Sequence, residues 1–262
     1  MTGGVGIAWT SQPLALCYHA VSESWSADIS VSPDNLTRQL SRLLDRGYVG
    51  VTFRQAVEDP PSSRTLAVTF DDAYRSVIEL AWPILRRLGI PATVFVPTAF
   101  AGTERPMSWP GIEAWADGPD ADELTPMSWD ELERLHADGW EIGSHTRTHP
   151  RLSELDPESL REELGGSRAD CEARVGGPCT SLAYPYGDYN ATVVEATARA
   201  GYSAAGTLAR HVQEATPLAW PRVGIYRGDG DRRFQIKVTT TMRRLRASRA
   251  WRARLALRHR GG

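Results

Sequence analysis

The chain has 262 residues, 41% of them hydrophobic and 24% charged, with a formal net charge of −2. That mixture is globular and excludes a disordered chain, a collagen-like repeat or a coiled coil. No apolar run approaches the ~18–20 residues that a bilayer-crossing helix needs. The length suits one large domain or two small ones, and α/β barrels commonly run to this length as one.

The near-neutral charge hides a split. Nine of the 30 basic residues (Lys237, Arg243, Arg244, Arg246, Arg249, Arg252, Arg254, Arg258 and Arg260) fall in 237–262, a stretch without a single acid, which leaves residues 1–236 at a net −11. Residues 1–13 show neither a basic n-region nor an apolar h-region, so they read as an N-terminal extension and the expected location is cytoplasmic. Cys17, Cys171 and Cys179 cannot all pair within one chain and show no CxxC spacing, so no disulfide framework or thiolate zinc site is indicated. Cys17 sits in an apolar run and reads as a small core residue.

In chain order, 14–18 is a short buried strand ending at His19. Ser32-Pro33 supplies an N-cap and an N1 proline for a helix whose Leu36, Leu40, Leu43 and Leu44 share one face, and Gly47 ends it. Residues 49–53 and 65–70 read as strands, the second running into Asp71-Asp72. A helix over 75–88 leads to a strand at 92–96 and then to a long irregular stretch, 98–127. Ser128-x-x-Glu131 is a capping box for the next helix. Further strands fall at 140–145, 181–185, 202–205 and 221–226, with helices over 156–175 and 190–200. This alternation predicts right-handed βα units around a parallel sheet. No glycine-rich loop follows the first strand, which favours a barrel over a doubly wound sheet. The polar residues His19, Asp71, Asp72, His145, Tyr184 and Tyr186 all fall at C-terminal strand ends, the face on which parallel barrels build active sites.

Two adjacent carboxylates leaving a hydrophobic strand need a reason, and a metal ion is the commonest; one of them could instead cap the following helix. His145 and His149 lie four apart in GSHTRTHP, where imidazole serves no packing purpose and Pro150 argues against a helix. A His₂-carboxylate set is a known catalytic zinc arrangement. Tyr184-Pro185-Tyr186-Gly187 is a tight turn at a further strand end. Trp129 and Trp140 read as core.

Together these segments resemble the polysaccharide deacetylase family, the NodB-type carbohydrate esterases. The family's TFDDG(Y) stands here as Thr69-Phe70-Asp71-Asp72-Ala73-Tyr74, its SHTxxHP as Ser144 to Pro150, and its PYG as Pro185-Tyr186-Gly187. The resemblance implies a distorted (β/α)₇ barrel over 14–236 and removal of N-acetyl groups from a sugar or polysaccharide. It implies Asp71 as general base and Asp72, His145 and His149 as ligands of a divalent metal, zinc first and cobalt next. The Tyr186 N–H would help form an oxyanion hole. Ala73 stands in place of glycine, tolerable unless φ there must be positive. Ala183 stands where many members carry an arginine that orients the base, and Arg222 is the candidate substitute. Tyr18-His19-Ala20-Val21 is similar to the YHxV of biofilm-polysaccharide deacetylases, which makes His19 the general acid; a hydrogen-bonded core histidine is the alternative. The nearest late histidine, His211, lies in no recognisable motif.

An N-acetylated carbohydrate is therefore the expected substrate, and Trp109 and Trp115, in the irregular stretch, are candidates for stacking on its sugar rings. Two other readings compete: hydrolysis of another C–N bond, such as a cyclic amide or ureide, and a non-catalytic sugar-binding relative recruited by its tail. The arginines of 237–262 fall on every side of a helical projection, so a membrane-lying amphipathic helix is unsupported. Peripheral attraction to an anionic inner-membrane face stays open at ~1 kcal/mol per basic residue, as does a solvated tail. The acidic body disfavours nucleic acid.

Overall fold

The computed structural model describes residues 12–208 and 215–242. Most of the N-terminal extension, His211 and the tail beyond Met242 lie outside the described residues. The strands are β1 (Leu14–Tyr18), β2 (Ala20–Val21), β3 (Ser30–Val31), β4 (Val49–Val51), β5 (Thr65–Phe70), β6 (Ala92–Val96), β7 (Glu141–Ser144), β8 (Ser181–Ala183), β9 (Ala204–Leu208) and β10 (Trp220–Gly224). The α-helices are α1 (Pro33–Asp45), α2 (Phe53–Glu58), α3 (Trp82–Leu88), α4 (Trp129–Ala137), α5 (Pro157–Arg161), α6 (Ser167–Val175), α7 (Ala191–Arg199) and α8 (Asp231–Val238).

Seven strands close a parallel barrel in the order β1-β10-β9-β8-β7-β6-β5, with β1 returning to β5 in register from Leu14↔Leu66 to Tyr18↔Phe70. Strand β4 pairs with the first half of β5, at Val51↔Ala67, before β6 takes over at Val68↔Ala92. This is the (β/α)₇ barrel that the motifs implied. Side chains alternate across each strand. Leu14, Leu16, Leu66, Val68 and Phe70 pack outward under the helices, while Ala15, Ala67, Ala183 and Ala204 pack with Phe95 and Trp220 in a separate cluster. Small residues make room for a few large ones. A Cβ on Gly143 would come within 2.6 Å of the Phe95 ring, and one on Gly206 within 2.6 Å of Arg222 Nε.

The helices form where the caps and apolar faces place them. Ser32 accepts a hydrogen bond from Asn35 N at 3.3 Å, and α1 buries Leu36, Leu40 and Leu43; truncating such a leucine costs about 2–5 kcal/mol. Ser128 and Glu131 complete the capping box of α4. The strand expected over 49–53 stops at Val51 because Thr52 caps α2, which turns Phe53 edge-on to Phe95 at 5.5 Å. The helices expected over 75–88 and 156–175 are interrupted by π-helical segments at Val77–Ala81 and Glu162–Gly166. Helix α8 runs two residues into the stretch counted as the basic tail. Its Lys237, the chain's one lysine, is buried against Asp229 and donates to Gly224 O. Among the described residues no helix is long and apolar enough to cross a membrane.

Candidate active site

A cleft of about 480 Å³ opens at the C-terminal ends of the barrel strands. The seven residues expected to carry the catalytic and metal-binding roles all line it: His19 after β1, Asp71 and Asp72 after β5, His145 and His149 after β7, Tyr186 after β8, and Arg222 within β10. The strand ends converge there because the barrel is parallel and closed.

Arg222 is 1% exposed and grips Asp71 with both ends of its fork, Nη1 to Oδ1 at 2.6 Å and Nη2 to Oδ2 at 2.8 Å. Nη1 also donates to Thr69 Oγ1 at 2.9 Å, and the guanidinium lies over the Phe95 ring. Gly206 leaves the space that this side chain fills, and Ala183 pairs with Gly206 across the adjacent strands. The Cys17 thiol donates to Asp71 Oδ2 at 3.3 Å, a contact its core reading did not foresee. Burial pushes the Asp71 carboxyl up, but the charge and hydrogen bonds of Arg222, together with the charges of His145 and His19, outweigh burial and hold it well below the usual carboxylate range. Burial also pushes the Cys17 thiol up, so it stays protonated.

Asp72 Oδ1 is buried without a hydrogen bond and lies 3.4 Å from Nε2 of both His145 and His149. His145 Nδ1 sits 2.7 Å from the Ala183 carbonyl, which can only accept, so Nδ1 carries the proton and Nε2 of the neutral ring offers a lone pair. Burial pushes His149 down to about 3 against the opposing charge of Asp72, so its ring is neutral near pH 7. Acceptors facing one another in a dry site need a cation between them. In a tetrahedral zinc site with bonds of about 2.0–2.1 Å, neighbouring ligand atoms stand about 3.4 Å apart. The donor set therefore fits a divalent metal. Cys17, His19 and Asp71 also gather within 4.8 Å of one another. There, however, both Asp71 oxygens are taken by Arg222 and the thiol is fully buried, so that set is closed to an ion.

The backbone at this site is strained. Asp72, Ala73, Thr146, His149 and Tyr186 have φ of 70°, 54°, 66°, 61° and 59°, and they are the non-glycine residues at positive φ among those described. Such conformations cluster at functional sites, where surrounding structure enforces them. Ala73 thus occupies the left-handed conformation under which its replacement of glycine is costly.

The two loop tryptophans part company. Trp109 lines the cleft and stacks on His149 at 4.3 Å between ring centroids, whereas Trp115 packs edge-on against Trp25 at 5.8 Å, outside the cleft lining. Trp140 is buried in the core, as expected, and Trp129 is only partly buried against it. Tyr226, which also lines the cleft, had no sequence signal.

The profile of the polysaccharide deacetylase family matches residues 58–205. A chitooligosaccharide deacetylase of Bradyrhizobium sp. (strain ANU 289) is 25% identical over 176 residues, covering 66% of this chain and 67% of that protein. A poly-β-1,6-N-acetyl-D-glucosamine N-deacetylase of Staphylococcus aureus (strain MRSA252) is 26% identical over 147 residues, covering 53% and 46%. YxkH of Bacillus subtilis (strain 168) is 24% identical over 192 residues, 71% of this chain and 61% of that one. The chain thus spans between about half and two thirds of the length of these relatives. Among solved structures, the Streptococcus pyogenes deacetylase PplD in complex with acetate superposes with a TM-score of 0.72 at 21% identity, covering 87% of this chain and 98% of that one. IcaB from Ammonifex degensii does so with 0.68 at 24% identity, covering 89% and 97%. These two likenesses establish the fold, and the profile match over more than half of the sequence establishes that the chain belongs to the polysaccharide deacetylase family.

Proposed function

We propose that this protein is a metal-dependent hydrolase that removes N-acetyl groups from an N-acetylated sugar or polysaccharide. One observation carries the reading: a buried, unsatisfied Asp72 oxygen stands 3.4 Å from two imidazole nitrogens, beside a carboxylate locked by arginine. Asp72, His145 and His149 would hold the ion, zinc being the first candidate for this donor set. When bound, such an ion supplies Lewis acidity to the acetamido carbonyl and acidifies water.

The remaining chemistry belongs to the chain's own residues. Asp71 accepts a proton from the attacking water, and Arg222 keeps it ionised and aimed for that task. His19, at the end of the neighbouring strand β1, donates a proton to the departing amine. A positioned base and a separate acid are what amide hydrolysis requires, each worth about 10²–10⁴-fold. The Tyr186 N–H is assigned to the developing oxyanion, where a preorganised donor contributes about 10²–10³-fold. Trp109, Ile112 and Leu208 give the cleft an apolar flank suited to a sugar face.

The test is to purify the protein, measure bound metal, and follow acetate release from N-acetylglucosamine oligomers with and without chelator. About one equivalent of metal and chelator-sensitive release are expected. Asp71→Asn should keep the metal and lose the rate. Full activity in that variant, or release of ammonia in place of acetate, would overturn the reading.

A further inference from the structure

The loop that carries the two histidines is gripped from behind by the helical segment 157–175. Glu163 Oε2 accepts hydrogen bonds from the backbone N–H groups of Arg147 at 2.7 Å and Thr148 at 2.9 Å, and Oε1 accepts from Thr148 Oγ1 at 2.7 Å. One half-buried carboxylate thus satisfies two successive backbone donors between His145 and His149. Those donors lie in a strained stretch, since Thr146 before them and His149 after them both have positive φ. Glu163 belongs to the π-helical turn Glu162–Gly166 between α5 and α6. Inserting a π turn offsets the side chains of one turn from the regular helical face, and such turns recur at functional sites. The same turn supplies Gly166, where an added Cβ would come within 2.7 Å of Arg147 Cδ. The Arg147 side chain lies in that slot, its Nε donating to Asp170 Oδ2 at 3.2 Å and its Nη1 to Glu162 Oε1. Asp170 in turn accepts from Thr98 Oγ1 at 2.7 Å, after β6.

We infer that Glu163 is a positioning residue for the metal ligands: it fixes the loop conformation that brings His145 and His149 to the same Asp72 oxygen. The inference rests on the reading of these three residues as a metal site. It explains how the chain holds two left-handed residues in a five-residue loop, and what the π turn is for. The conformation is set in advance, so the ion does not have to order the loop when it binds.

The test is Zn²⁺ affinity of the full chain, measured by competition with a chromophoric chelator, alongside metal-free thermal unfolding. Glu163→Ala should weaken Zn²⁺ binding by about 10–100-fold, the range for loss of a group that orients a ligand. Glu163→Asp keeps the charge but draws the carboxylate back by one methylene, and should also bind more weakly. Glu163→Gln keeps the reach and an acceptor oxygen, and should stay close to the wild type. Glu162→Ala, which loses only a contact to the Arg147 side chain, should leave affinity unchanged. No Zn²⁺ binding by the wild type would overturn the metal site itself. Wild-type affinity in Glu163→Ala or Glu163→Asp would overturn only this inference, as would a Glu163→Gln variant as weak as Glu163→Ala. If Glu163→Ala does not fold, Glu163→Asp against Glu163→Gln decides.

Discussion

Arg222 and Asp71 stand 151 residues apart in sequence, yet the barrel closes them into a two-pronged pair of 2.6 and 2.8 Å. The closure through β10-β1-β5 is what makes this possible, because β1 separates the two strands by only one position. The pair is buried on both sides, so removing either partner strands a charge. Arg222→Met should cost about 3–5 kcal/mol of stability. Activity should fall as well, because Asp71 loses both its orientation and the charge that keeps it ionised. Arg222→Lys should rescue stability better than activity, since an ammonium offers no planar fork. Thermal unfolding and acetate-release kinetics on both variants check this. Wild-type activity in Arg222→Lys would mean that fork geometry is unimportant.

Ala73 sits at φ of 54° with its side chain buried. A left-handed conformation costs an L-residue roughly 1–2 kcal/mol, and glycine removes that cost at some loss in unfolded-chain entropy. Ala73→Gly should therefore stabilise the protein, raising Tm by about 2 °C at this size. A lowered Tm would show that the methyl group's packing outweighs the strain.

The barrel and its rim were legible because the chemistry is local in sequence. Asp71 with Asp72, and His145 with His149, each sit within a few residues at the end of an apolar strand. Arg222 could be reached only by asking what fills the place left by Ala183, because its partner is distant in sequence. Glu163 was not legible at all: it is one acid among Glu158, Glu162 and Glu163 on a helix, and only the π turn distinguishes it. Phe53 follows Val49 and Val51 in strand alternation, and the competing signal was the Thr52 cap. Helix α8 was hidden because only its last two residues, Lys237 and Val238, fall in the stretch read as a basic tail, and the six before them carry no helical pattern of apolar residues. Its two apolar anchors, Phe234 and Val238, are too few to announce a helix.

The two histidines are poised differently toward metal. Burial lowers both, but the Asp71 and Asp72 charges overcome this at His145 and raise it above its ordinary value, while His149 stays at about 3. In the metal-free protein His145 therefore carries a proton at mildly acid pH and His149 does not. A metal needs both rings neutral, so binding releases the His145 proton and affinity weakens as pH falls through the His145 pKa. The logarithm of the Zn²⁺ dissociation constant should change by one unit per pH unit below that point, a one-proton slope. Titration calorimetry in buffers of different ionisation enthalpy measures the release. Two protons per metal would show that His149 titrates as well.

His149 Nδ1 is buried without a hydrogen-bond partner, in contrast to His145, whose Nδ1 is anchored on Ala183. The His149 ring is held by its neighbours' faces, with Trp109 stacked at 4.3 Å and Tyr186 edge-on at 4.6 Å. Aromatic pairs of this kind contribute about 0.5–1.5 kcal/mol beyond burial, which corresponds to roughly 2- to 10-fold in an equilibrium constant. Trp109→Ala should weaken Zn²⁺ binding by that factor and raise KM for an oligosaccharide, because the same indole lines the cleft. Trp109→Phe should restore most of the metal affinity. Trp115→Ala, which removes a contact to Trp25 away from the cleft, should lower Tm and leave both constants alone. A KM change in Trp115→Ala as large as in Trp109→Ala would show that the loop acts as one unit, with no separate role for the indole over His149.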